Sequence, residues 1–217
     1  MLANLDRRRP DPFSSRLAFR VFVFFLLASA ALPAEERRYR INPDADSRFA
    51  LEVEKTGLMS GKKHLLVFER YRGQLEYDPQ NPEQSRVELT IEAGSLSVRD
   101  DWVNEKERGK IADEALNKQL GAKQYPQMEF RSSSIRAGGG EGRYEAQGEL
   151  TIRETARPVV VHVSLREGPA GSLLFEGEAT VKMKDYGLKP PSAALGLIGT
   201  KNEMTVRFAL RAMPAAP

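Results

Sequence analysis

The chain has no cysteine and only two histidines among its 217 residues. Disulfides are excluded, a lipid cannot be attached through an N-terminal cysteine, and a zinc site lacks its usual ligands. Neither a G-x-S-x-G elbow nor a P-loop occurs, so the strained nucleophile turn and the glycine-rich phosphate cradle are both missing. "NPDADSR" begins like a calcium loop but lacks the required Gly and the terminal Glu, and reads as a turn. "AGGGEGR" lacks the helix that must follow a phosphate cradle, and reads as a hairpin loop. No acid–base or nucleophile set is assembled, so neither catalysis nor a cofactor nor a metal is expected.

An excess of charge of one sign is also lacking outside the N-terminus. Of 33 basic and 30 acidic residues, five basic and two acidic lie in residues 1–34, leaving 28 of each. The pI of about 9.1 therefore originates in that segment, and a nucleic-acid partner, which needs a concentrated basic surface, is disfavoured. Long apolar runs are scarce, and the clearest is Val21 to Leu32. Basic residues precede it and small ones follow, the layout of a secretory signal over 1–34 with cleavage after Ala30 or Ala34. A membrane span needs about 20 apolar residues, and Arg20 cuts this run short. Residues 35–217 then form one domain, large enough to bury its own core and expected in the periplasm or secreted.

What is present is alternation. Phe49, Leu51 and Val53 share one face of a segment. So do Leu66 and Phe68, then Leu75 and Tyr77 beyond a break at Gly73, then Val87, Leu89 and Ile91. Met128 and Phe130, Leu150 and Ile152, Val159 to Leu165, Leu173 to Met183, and Met204 to Leu210 continue the pattern. About eight antiparallel strands result, each with a polar outer face, which indicates a sandwich or a barrel. One segment differs. Ile111, Ala112, Ala115, Leu116 and Leu120 recur at helical spacing, Asn104 with Glu107 forms a capping box, and Gly121 and Pro126 end the run. One amphipathic helix is expected on or across the end of the sheet.

Few polar residues invite a functional role. His162 falls on a wet face and reads as solvated; His64 reads as a strand-end surface residue, with a head-group contact as its alternative. Asp100/Asp101 and Glu176/Glu178 read as ordinary surface carboxylates. The segment "SLLFEGEATVKMKDYGL" raises a sharper question, because its dry face is bulky at Phe175 and Val181 but nearly bare at Gly177 and Ala179. An eight-stranded barrel is just wide enough to be filled by its side chains or to hold one small ligand. Either a large neighbour such as Phe68, Phe130 or Phe175 covers the bare stretch, or space remains there.

The order of segments resembles the YceI-like lipid/polyisoprenoid-binding family from Tyr39 to Met213. "YRINPDADSRFALEV", "FERYRGQLEYDPQNP", "QYPQMEFRSSSI" and "MKDYGL" are similar to successive elements of that family. "GELTIRETARPVVVHV" is similar to its Gly-x-Leu-Thr-Ile…Lys/Arg-Pro-Val signature, and "LIGTKNEMTVRFALRA" to its ending. The sequence departs from the pattern at Lys55-Thr56-Gly57, where the family often has His-Gly, at Val98, and in a longer helical insert. These positions lie where a head group or barrel mouth would be.

The resemblance implies an all-β, antiparallel eight-stranded lipocalin-like β-barrel with one amphipathic helix, binding a polyisoprenoid or similar amphiphile without catalysis. It implies a gap at Gly177 and Ala179 bracketed by Phe175 and Val181. The expected ligand-binding liners are Phe49, Leu51, Leu66, Phe68, Phe130, Leu150, Ile152, Phe175, Gly177, Ala179, Val181, Val206 and Phe208. Leu195, Leu197 and Ile198, in an apolar connection, form the expected portal. A transient membrane contact and a homodimer through an exposed strand are compatible with the sequence. Two other readings stand beside the carrier: a filled barrel acting as an interaction module through Trp102, and an enzyme using His64.

Overall fold

The computed structural model describes residues 37–215; the secretory signal expected over 1–34 lies outside them. Period-two alternation in the sequence becomes eleven strand segments: β1 (Arg37–Ile41), β2 (Arg48–Gly57), β3 (Lys63–Phe68), β4 (Tyr71–Tyr77), β5 (Arg86–Glu92), β6 (Leu96–Val98), β7 (Gln127–Ala137), β8 (Arg143–Ile152), β9 (Thr155–Glu167), β10 (Leu173–Lys182) and β11 (Ile198–Pro214). The first six combine in pairs. β1 and β2, β3 and β4, and β5 and β6 are halves of three long strands, each interrupted by a short bend. Counted this way, eight antiparallel strands follow one another around a closed ring, since every consecutive pair is hydrogen-bonded. β11 completes it, pairing with β10 on one side and with β2 and then β1 on the other (Val206 opposite Leu51, Ala212 opposite Ile41).

The bends keep apolar side chains pointing inward where strict alternation would turn them out. Phe68 and Tyr71, three residues apart, are both buried, and Glu69-Arg70 between them leaves the ladder. The interruption therefore falls there and not at Gly73, which lies inside β4. Gly73 serves a close approach instead: a Cβ there would lie 2.7 Å from the Glu88 carbonyl oxygen and 3.0 Å from Leu89 Cδ1.

The ring has two ends. The β2–β3, β8–β9 and β10–β11 connections and the long β6–β7 excursion lie at one, which we call the helix end; the β4–β5, β7–β8 and β9–β10 hairpins lie at the other. The excursion contains α1 (Glu105–Asp113), started by the capping box in which Asn104 Oδ1 accepts from the Glu107 N–H at 3.0 Å. It runs on through a wider π-helical stretch, Glu114–Gln119, and closes near Gly121. Three contacts tie the excursion to the barrel. Trp102 donates to the Lys63 carbonyl at 2.9 Å, Arg153 to the Lys118 carbonyl at 2.6 Å, and Gln119 to the Lys189 carbonyl at 3.1 Å.

The interior is apolar, and the largest side chains crowd one wall. Phe49 stacks on Phe208 with centroids 6.3 Å apart and meets Phe68 edge-on at 6.0 Å. Phe208 lies opposite Gly177 in the β10–β11 register, and a Cβ on Gly177 would be 2.5 Å from its ring. Gly177→Ala is expected to lower stability by about 1–3 kcal/mol through overpacking, read as a lower urea midpoint at unchanged slope.

Candidate functional site

A cavity of about 890 Å³ runs inside the barrel, within the range of about 300–1,000 Å³ typical of ligand pockets. Alternating residues of the strands line it, such as Leu66 and Phe68 of β3 and Val87, Leu89 and Ile91 of β5, which is why the sequence pattern could identify much of its wall. Phe49, Leu51, Leu66, Phe68, Phe130, Leu150, Ile152, Phe175, Ala179, Val181, Val206 and Phe208 all line it.

Gly177 does not. The expectation of a gap there is corrected by the Phe208 ring, which occupies the volume that the missing side chain leaves. Packing of small against large settles that position, while the cavity persists beside it along Ala179.

The expected portal is corrected as well. Leu195, Leu197 and Ile198 do not line the cavity. Left-handed backbone at Ala194 (φ 51°) and Leu195 (φ 54°) turns the loop so that Leu195 and Leu197 project into solvent, and Ile198 is committed to the ladder opposite Gly57. The wall is formed instead by the preceding stretch, Gly187 to Ala193. Lys110, Lys118, Lys189 and Ser192 both line the cavity and are exposed, so the cavity meets solvent between the helix and this stretch. At the hairpin end Tyr77, Ser85, Ile135, Tyr144 and Leu165 line it, and none is exposed. Burial, reinforced by the neighbouring Tyr144, holds the Tyr77 hydroxyl above its ordinary range.

Polar groups on the wall follow the same division. Lys55, His64, Lys110, Glu114, Lys118, Arg153 and Lys189 all belong to the helix end. Lys110, Glu114 and Lys118 recur every four residues along one helix edge, a signal present in the sequence but masked by the apolar stripe beside it. Arg153 has no such signal, since it follows β8 in a tight turn with φ 57° and only the fold brings it to the helix. Burial pushes the Lys55 ammonium below the usual lysine range.

His64 proves more deeply set than a surface residue. Its Nδ1 is 2.6 Å from Asp100 Oδ2, and the Asp100 side chain is fully buried, its other oxygen accepting from the Leu65 N–H at 2.6 Å. Trp102 stacks on the imidazole with centroids 5.2 Å apart and donates from Nε1 to the Lys63 carbonyl. The expected contact surface at Trp102 is thus engaged within the molecule, with Lys62 over its ring. Asp100 is not an ordinary surface carboxylate: it orients His64, whose ring faces the cavity. His162 is exposed on the outer face, as read.

The YceI-like domain family matches residues 39–212. Protein YceI of Escherichia coli O157:H7 is 30% identical over 141 residues, covering 61% of this chain and 69% of that protein. The chain spans about two thirds of the curated relatives' length, from 62% of one in Photorhabdus laumondii to 70% of one in Ectopseudomonas mendocina. Among solved structures, Burkholderia cenocepacia BcnA superposes with a TM-score of 0.60 at 23% identity, over 78% of this chain and 98% of that one. A polyisoprenoid binding domain from Saccharophagus degradans, implicated in plant cell wall breakdown, gives 0.54 at 13% identity, over 81% and 98%. At these identities the structures share the fold.

Asp100→Ala is expected to destabilise the protein by about 1–3 kcal/mol, because it leaves the part-buried Leu65 N–H without its acceptor. In a double-mutant cycle by urea denaturation, Asp100→Ala combined with His64→Ala should cost less than the two single changes added together.

Proposed function

The chain belongs to the YceI-like family, and on that premise we propose that it is an extracytoplasmic binding protein that takes the apolar chain of a polyisoprenoid or similar amphiphile into its barrel. The observation that carries this reading is the cavity of about 890 Å³ with an apolar wall along the barrel. A filled barrel would leave no such space, and Trp102, the surface an interaction module would use, is held against His64. Each methylene moved from water into the cavity contributes about 0.8 kcal/mol. A chain of several isoprene units therefore offsets the cost of association, about 4–15 kcal/mol. The basic, then apolar, then small-residue pattern over 1–34 supports a periplasmic or secreted location, where a cysteine-free chain is indifferent to redox conditions.

The exposed leucines support a route for the ligand. Leu195 is fully exposed, and Leu58 and Leu197 are 75% and 60% exposed. The Leu58 N–H donates to the Leu197 carbonyl at 3.0 Å, so two connections at the helix end form one apolar tip beside the cavity opening. A transient contact of this tip with a lipid surface would bring the opening to the source of the ligand.

Native mass spectrometry of the gently purified protein should show a co-purifying amphiphile, and a wholly empty protein would count against the reading. Ala179→Phe, which projects a ring into the cavity, should weaken chain binding about tenfold or more while the protein stays folded. Leu195→Asp with Leu197→Asp should slow uptake from lipid vesicles and leave affinity for a detergent-dispersed chain unchanged.

A further inference from the structure

One lysine on the cavity wall differs from the others. Lys55, Lys110, Lys118 and Lys189 all line the cavity, but only Lys55 is not exposed. Lys118 is paired with Glu114, and on the strands flanking Lys55 the exposed Lys63 and Lys201 are both paired with Glu54. Among the described residues Lys55 has no carboxylate partner, and burial alone pushes its amine below the usual lysine range. A lysine so placed is biased toward its neutral, nucleophilic form.

Its neighbours on the same wall are suited to moving protons. Val53 of β2 lies opposite His64 of β3, so Lys55 is the diagonal neighbour of His64 on the inward face, a separation that long side chains span. The Asp100 carboxylate accepts from His64 Nδ1 at 2.6 Å, which keeps a proton on that nitrogen and leaves the Nε2 lone pair available. Thr200 of β11, directly opposite Lys55, also lines the cavity. An amine, an imidazole with its orienting carboxylate and a hydroxyl therefore share one patch of a mostly apolar wall.

Building on the carrier reading, we propose that Lys55 captures carbonyl compounds, holding a long-chain aldehyde covalently as an imine inside the barrel. The amine lone pair attacks the aldehyde carbon, a C–N bond forms, and the C=O π electrons move onto oxygen. His64 Nε2 takes a proton from the nitrogen and delivers it to that oxygen, beside the Thr200 hydroxyl. When the second proton follows, the C–O bond breaks and the C=N bond forms. Both amine protons leave on one water molecule, and no oxidant or reductant is consumed. A chain lying in the lumen holds the carbonyl against the amine, and the apolar wall keeps water from the imine. Capture of this kind withdraws a reactive lipid aldehyde from solution and returns it on hydrolysis.

The test is incubation of the delipidated full chain with hexadecanal, quenched with borohydride at timed points and read by intact mass and peptide mapping. Capture adds the mass of the aldehyde less one oxygen, and Lys55 should carry about tenfold or more label than any other lysine. Propanal, which has no chain to place its carbonyl, should label exposed lysines without favouring Lys55. Lys55→Arg and, separately, Lys55→Met should abolish the favoured label, while hexadecanol still displaces the neutral dye Nile red from an intact cavity. His64→Gln should slow labelling of Lys55 about tenfold or more and leave its final extent unchanged, a split that a packing defect does not produce. An unchanged rate overturns the role given to His64. Displacement of Nile red by hexadecanal with Lys55 unlabelled, or label spread evenly over the exposed lysines, overturns the inference and leaves the carrier reading standing. No displacement by hexadecanal or hexadecanol overturns the carrier reading, and this inference with it.

Discussion

The antiparallel seam along β11 is the constraint on which the molecule depends. Over 17 residues this strand pairs with β10 on one edge and with β2 and β1 on the other. Without the second pairing the sheet would have two open edges, and its inward-facing phenylalanines, leucines and valines would meet water. With it, period-two alternation acquires an inside and an outside. Closure at eight strands also fixes the girth at the size where side-chain volume alone decides between a solid core and a hollow one.

Here the volume is unevenly spent. Phe49, Phe68 and Phe208 fill the wall near Gly177, whereas Ala179 and the valines of β9 and β10 leave space. The bend at Glu69-Arg70 lets Phe68 and Tyr71 both point inward, adding aromatic bulk at one side without closing the lumen. The helix then covers one end. Its apolar side, Ile111, Ala115 and Leu120, continues the greasy wall, and its polar edge brings Lys110, Glu114 and Lys118 to the opening.

Much of this was legible in the sequence because strands and helices repeat. Alternation identified the inward face of every long strand, and the capping box at Asn104 identified the helix start. Pairwise geometry was not legible. Nothing local to Gly177 says that Phe208, thirty-one residues later, folds over it; the β10–β11 register decides that. Asp100 looked like any carboxylate in a charge-rich stretch until β3 and β6 placed it behind His64. Arg153 reaches the helix only because a two-residue turn aims it there. The loop at Leu195 read as an apolar portal from its composition, but left-handed backbone turned its leucines away from the lumen. Periodic signals survive in one dimension, whereas contacts between distant segments do not.

The tyrosine-lined end of the lumen has a further consequence. Among the described residues none that lines that end is exposed, whereas exposed lysines line the helix end, so the two ends of the lumen differ in their access to water. On the carrier reading proposed above, a guest would enter at the helix end by its greasy terminus, and an acceptor would first meet the terminus left at the threshold. On the same reading the length of the lumen would act as a gauge, a longer chain keeping its surplus outside, beside Leu58 and Leu195.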